Sequence, residues 1–222
     1  MLYMRYNIRC NELRIFTDLT SLPPPHSESP HIYKGYITTK PPRDVIRSYA
    51  EFQEHYHQMK ISAKTIVFYF GGHGSKDSYI FPDGPVHVDN IRSFLLERIS
   101  PRQNLIVIQD CCEGPIHSLP YYTDDGVIIK RNGKLQRVRG ESEMLVVSST
   151  QPGQRAASSD RIGSLFCYFF MAYFDRDSGI ESNLSELVTH INSSIQSYDD
   201  TLKQSIRIQS NFHLCRSIPP GI

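Results

Sequence analysis

Nowhere among its 222 residues does the chain hold an uninterrupted apolar run of about 18 residues, the least that a membrane-crossing helix needs. Its opening stretch, Met1-Leu2-Tyr3-Met4-Arg5-Tyr6, lacks the sustained apolar core of a secretory leader. No membrane association is expected on either count. An excess of one charge sign is missing too. With 24 Lys and Arg against 23 Asp and Glu, no overall field draws a nucleic acid or a membrane surface. Cysteines are few and lack metal-ligand spacing: the count is five, with Cys111 and Cys112 adjacent and Cys10, Cys167 and Cys215 scattered. That pattern predicts reduced thiols and a cytoplasmic location. No internal repeat is visible. What is present, 39% hydrophobic and 21% charged residues, suits one globular domain spanning 1–222, with a sizeable core.

Periodicity divides the chain. Asn11 to Leu22 reads as a helix with Leu13, Phe16 and Leu19 on one face, stopped by Pro23-Pro24-Pro25. His31 to Ile37 alternates as a strand does. Pro41-Pro42 stands where a helix start tolerates proline, and Val45, Tyr49, Phe52, Tyr56 and Met59 follow at helical spacing. Thr65 to Phe70 and Leu105 to Ile108 are continuous apolar runs of the kind buried in parallel sheets. Between them, Asp89 caps a helix whose stripe is Ile91, Phe94, Leu95 and Ile99, ended by Pro101. Asn132-Gly133 predicts a basic hairpin over Val127 to Arg139, inserted into the fold. Met144 to Val147 is a short strand, and Gly163 to Phe174 an apolar helix. Asn183 and Glu186 form a capping box for a helix carrying Leu184, Leu187, Val188, Ile191 and Ile195. Ile206 to Leu214 is a last edge strand. Strands alternating with helices predict an α/β fold, a mostly parallel sheet covered on both faces.

Two strands end in small, sharp turns that carry chemistry. One reads Ile66-Val67-Phe68-Tyr69-Phe70-Gly71-Gly72-His73-Gly74-Ser75, the other Leu105-Ile106-Val107-Ile108-Gln109-Asp110-Cys111-Cys112-Glu113-Gly114. Open α/β sheets build sites at the C-terminal tips of buried strands. A base at one tip and a thiol at another suggest a nucleophilic Cys/His pair. A lone histidine is usually a satisfied surface or core residue. The glycines around His73 set it apart, because they let the backbone turn sharply and approach a substrate. His55 and His57, two residues apart on a helix, lie on different faces and make a poor metal site. Cys111 and Cys112 compete for the nucleophile, and each is also readable as a small buried hydrophobe. Cys112 is nearer the Glu113-Gly114-Pro115 turn and hence the more exposed candidate. With His73 in reach as base and then acid, the Gly74 and Cys112 amides are placed to hold an oxyanion.

The Phe-Tyr-Phe-Gly-Gly-His-Gly-Ser tip resembles the histidine motif of caspase-like cysteine peptidases. Ile-Gln-Asp-Cys-Cys-Glu-Gly resembles their cysteine motif, nearest to metacaspases, which place an aspartate two positions before the nucleophile. A third segment, Ser149-Thr150-Gln151-Pro152-Gly153-Gln154 continuing to Gly163-Ser164-Leu165-Phe166, is similar to the small-subunit strand, specificity loop and following helix. The resemblance covers roughly residues 11 to 215. It implies a three-layer α/β/α sandwich, a mostly parallel sheet with an antiparallel edge strand. The large-subunit-like part is 11–112, the linker 113–142 and the small-subunit-like part 143–222. It also implies a cysteine endopeptidase with Cys112 as nucleophile, His73 as its partner and Gly74 as an oxyanion donor, a family associated with programmed cell death.

Substrate contacts fall, by the same resemblance, to Asp110, Ser149 and Ser158. Ser158 stands where caspases carry the arginine that reads aspartate at P1, the residue before the scissile bond. Asp110 replaces their glutamine. A pocket that has lost an arginine and gained a carboxylate is expected to prefer arginine or lysine, by a charge-assisted contact; otherwise Asp110 simply caps its strand. The linker supplies sites for self-processing: Lys130, Arg131, Lys134, Arg137 and Arg139 for a basic-P1 enzyme, Asp124-Asp125 for an acidic-P1 one. Alternatively that basic run is the solvated face of a hairpin. Partners are then protein or peptide substrates and a dimer mate, with no nucleic acid. The chemistry requires no cofactor, and no metal ligands are assigned. Calcium dependence stays open without a recognisable site, Asp83, Asp89, Asp124 and Asp125 being candidates only by presence. The family's first strand is expected to be missing or degenerate at Leu2 to Ile8, which would leave strand edges unpaired. The rival reading is a catalytically silent caspase-like module, a regulatory or assembly partner; a non-peptidase α/β domain is a third.

Overall fold

Successive side chains along one strand point to opposite faces, and here each face has its own core. The computed structural model describes residues 16–17, 44–45, 48–124, 127–130, 142–175 and 184–214. In chain order its elements are β1 (Phe16–Thr17), β2 (Asp44–Val45), α1 (Tyr49–Gln58), β3 (Thr65–Gly71), β4 (His73–Ser75), β5 (Ser78–Phe81), β6 (Gly84–His87), α2 (Val88–Leu96), β7 (Asn104–Asp110), β8 (Tyr121–Asp124), β9 (Val127–Lys130), β10 (Glu143–Ser148), β11 (Ser158–Ser159), β12 (Gly163–Ser164), α3 (Leu165–Asp175), α4 (Leu184–Tyr198) and β13 (Arg207–Ser210).

The main sheet has six strands in the order β3-β7-β10-β13-β8-β9. The pairs β3/β7 and β7/β10 are parallel; β10/β13, β13/β8 and β8/β9 are antiparallel. Leu105 and Val107 of β7, with Met144 and Val146 of β10, face α1 and α2. Ile106, Ile108, Leu145 and Val147 face α3 and α4. The architecture is the expected α/β sandwich. Leu184, Leu187, Val188, Ile191 and Ile195 of α4 are all buried, as their spacing predicts. No helix among the described residues is long and apolar enough to cross a membrane.

Several elements differ from expectation. Phe16–Thr17 is a strand paired in parallel with Asp44–Val45, not part of a helix. The remainder of 11–22, residues 31–37 and Asn183 lie outside the described residues. The helix expected from Pro41-Pro42 begins only at Tyr49, because Ser48 caps it, its hydroxyl accepting the Glu51 N–H at 3.1 Å. The next helix is capped by His87, whose Nδ1 accepts the Asp89 N–H at 3.2 Å, so Asp89 sits in the first turn instead. Val127–Lys130 pairs antiparallel with Tyr121–Asp124 within the main sheet, and the rest of the hairpin expected over Val127 to Arg139, with Asn132-Gly133, lies outside the described residues. Asp-Gly is as good a hairpin signal as Asn-Gly, and the chain carries both. The last strand lies inside the sheet, between β10 and β8, not at its edge. Conversely β3, expected to be buried, is an edge strand among the described residues, with Val67 at 38% and Tyr69 at 52% exposure.

Candidate active site

Parallel register brings the two turns together. Gly71 is the partner of Asp110 across β3 and β7, so His73 and Cys112 each stand two residues past a matched pair on adjacent strands. Gly72 N–H donates to the Asp110 carbonyl at 3.2 Å, holding the tips side by side. Beyond it, β4, β5 and β6 form a small antiparallel sheet that fixes the histidine turn, with Gly74 opposite Tyr79. A Cβ on Gly74 would stand 2.6 Å from the Cys112 carbonyl oxygen and 2.8 Å from Cys111 Sγ. Only glycine lets the two turns meet this closely. His73 itself is exposed.

The thiols differ sharply in setting. Cys111 is 1% exposed, and burial, reinforced by Asp110 and Cys112, pushes its thiol up to about 12, so it stays protonated and a poor nucleophile. Cys112 is half-buried, its Sγ accepting the Ala156 N–H at 3.4 Å. The chain reverses immediately after it. Glu113 adopts φ +67° and Gly114 φ +42°. A Cβ at Gly114 would overlap the Thr150 carbonyl at 2.1 Å. The Glu113 N–H donates to the Gln154 carbonyl at 2.7 Å, locking this turn to the 150–157 loop.

The remaining candidates separate. Asp110 is 8% exposed, and its Oδ2 accepts the Cys167 thiol at 3.1 Å and the Tyr69 hydroxyl at 3.3 Å. Ser158 is exposed in the β11/β12 pair, opposite Ser164. Ser149 is fully buried; its hydroxyl accepts the Cys111 N–H and donates to the Cys111 carbonyl, both at 3.1 Å. It therefore steadies the cysteine strand's tip, its hydroxyl turned to backbone rather than to solvent. Thr150 Oγ1 adds a bond to the same carbonyl at 3.0 Å. Of the acidic candidates, Asp83 accepts the Tyr49 N–H at 2.9 Å and Asp89 pairs with Arg92 at 3.3 Å. The side chains of Asp124 and Asp125 lie outside the described residues.

Sequence reasoning overlooked a buried polar network beneath the cysteine turn. The Tyr79 hydroxyl bonds Gln109 Oε1 and lies 3.0 Å from His117 Nε2, which is 3.1 Å from the same Gln109 oxygen. Gln109 Nε2 donates to the Pro115 carbonyl at 3.0 Å and to the Ser148 hydroxyl. His117 is fully buried, and burial pulls its pKa down to about 3, so it is neutral. A glutamine inside an apolar strand was the only sequence signal for this.

A histidine turn and a cysteine turn on neighbouring parallel strands, the second bonded to the 150–157 loop, agree with what family comparison finds. The model of the caspase domain, a peptidase family, matches residues 37–215. The chain belongs to the caspase-domain family. The crystal structure of caspase-1 from Spodoptera frugiperda matches with a TM-score of 0.50 at 18% identity, over 72% of this chain and 66% of that one. The caspase domain thus spans about two thirds of that neighbour's length, and the likeness is one of fold. No curated protein matches the chain.

Proposed function

We propose that this caspase domain is a cysteine endopeptidase cleaving after arginine or lysine. The observation that carries the reading is the seating of the His73-Gly74 turn on the Cys111-Cys112 backbone, at equivalent positions of adjacent strands. Cys112 gives its proton to His73 and attacks the scissile carbonyl, forming an S–C bond. The Gly74 and Cys112 amides receive the oxyanion. As the C–N bond breaks, His73 protonates the leaving amine; water, deprotonated by His73, then hydrolyses the thioester. Asp110 takes the basic P1 side chain, supported by the nearness of its strand tip to the nucleophile and by a carboxylate whose two described partners are neutral donors. Basic residues in 113–142 are sites for self-cleavage. A second reading, a silent caspase-like module, is favoured by β3, which among the described residues has a sheet neighbour on one side only.

Fluorogenic peptides with P1 arginine or P1 aspartate, with and without calcium, separate these readings. Wild type and Cys111→Ala are expected to cleave after arginine, with Cys112→Ala inactive. Aspartate cleavage would refute the Asp110 argument, and no cleavage by folded protein would leave the silent module.

A further inference from the structure

Asp110 does not face an empty pocket. Tyr69 lies on the open face of the edge strand β3, and its ring folds forward along the strand. A Cβ on Gly71 would meet Tyr69 Oη at 2.7 Å and Cε1 at 2.9 Å, so the ring covers the space a side chain at 71 would fill. From there the hydroxyl reaches Asp110 Oδ2 at 3.3 Å and the Cys167 sulfur at 3.4 Å. Cys167, projecting from α3, stands beside that hydroxyl with its own bond to the same carboxylate oxygen. Burial of the polar end pushes the Tyr69 hydroxyl and the Cys167 thiol both upward, so each stays a neutral donor. Yet Tyr69 as a whole is 52% exposed, whereas Asp110 is 8% exposed. The exposed group is the one that can move.

We propose that Tyr69 is the gate of the specificity pocket: its hydroxyl occupies the place on Asp110 that a P1 guanidinium or ammonium takes, and the ring moves off the open face of β3 when substrate enters. This rests on Asp110 being the P1 acid. Substrate exchanges a neutral hydrogen bond to the carboxylate for a charge-assisted one, while Cys167 keeps its own bond to Oδ2. Gly71 acquires a role distinct from the turn it precedes, since its missing side chain is what lets the ring lie shut. The basic-P1 preference is thereby held against a fixed internal competitor. Weakly placed or neutral P1 residues fail to displace it.

Binding tests this apart from catalysis. In the Cys112→Ala background, calorimetry measures affinity for a P1-arginine peptide and for its neutral P1-citrulline counterpart. Tyr69→Phe keeps the ring and removes the competing hydroxyl; the arginine peptide is expected to bind about threefold to tenfold tighter, the citrulline peptide unchanged. Gly71→Ala, which pushes the ring aside, is expected to change the ratio in the same direction. In active protein the Tyr69→Phe effect should fall on KM and leave kcat unchanged. Equal or weaker arginine binding in a folded Tyr69→Phe protein overturns the gate. Failure of the parent protein to prefer arginine over citrulline overturns instead the assignment of Asp110, and the gate with it.

Discussion

At Gly74 the histidine and cysteine turns meet backbone against backbone. A methyl group there meets the Cys112 carbonyl oxygen at 2.6 Å, and a carbonyl cannot swing away as the end of a flexible side chain can. Gly74→Ala is therefore expected to part the histidine and cysteine turns and, under the proposed mechanism, to displace the amide that receives the oxyanion. Loss of peptide hydrolysis by on the order of 100-fold or more follows, in kcat rather than KM, while a thermal melt shows the fold intact. His73, Gly74 and Cys112 stand out in the sequence as candidates because glycines and a turn isolate them from their apolar strands. Asp110 was legible only through resemblance. Tyr69 was not legible at all: inside Ile66-Val67-Phe68-Tyr69-Phe70 it reads as one more buried residue, since a continuous apolar run conceals that one face of the strand is open. Cys167 was hidden for the opposite reason, its partner being distant in sequence, 57 residues away.

Among the elements, the Tyr79–Gln109–His117 network ties β5 of the histidine sheet to β7 and to the loop after Cys112. His117 is ordinarily half-protonated near 6.5 and in the fold only near 3. The unfolded chain thus binds a proton that the native state refuses, and stability present above 6.5 is lost as pH falls through that window. The slope approaches about 1.4 kcal/mol per pH unit well below 6.5. Urea unfolding of wild type should show this decline between pH 7 and 4, and His117→Gln should flatten it. Helix and strand existence was largely readable, since periodicity reports burial directly. Boundaries and pairings were not, because they depend on competing local chemistry. Ser48 outbids an earlier proline start, and His87 replaces Asp89 as cap. Nothing local marked Arg207–Ser210 as interior; its neighbours on both sides come from far earlier in the chain.

At the scale of the whole molecule, strand order departs from chain order in one telling way. Reading β3-β7-β10-β13-β8-β9, the two strands after residue 142 lie between pairs that precede residue 131. A protease nick within 131–141 is therefore expected to yield two fragments that elute together at the volume of the uncut chain, and that separate only in denaturant. On a denaturing gel the same sample should show two bands. The histidine and cysteine strands both travel with the first fragment, whereas the loop that bonds Cys112 through Ala156 travels with the second. The sheet is in effect a dovetail joint: Lys130 and Glu143, which flank the cut, register with the start of β7 while Cys112 follows its far end, so the joint holds and the histidine and cysteine turns stay seated.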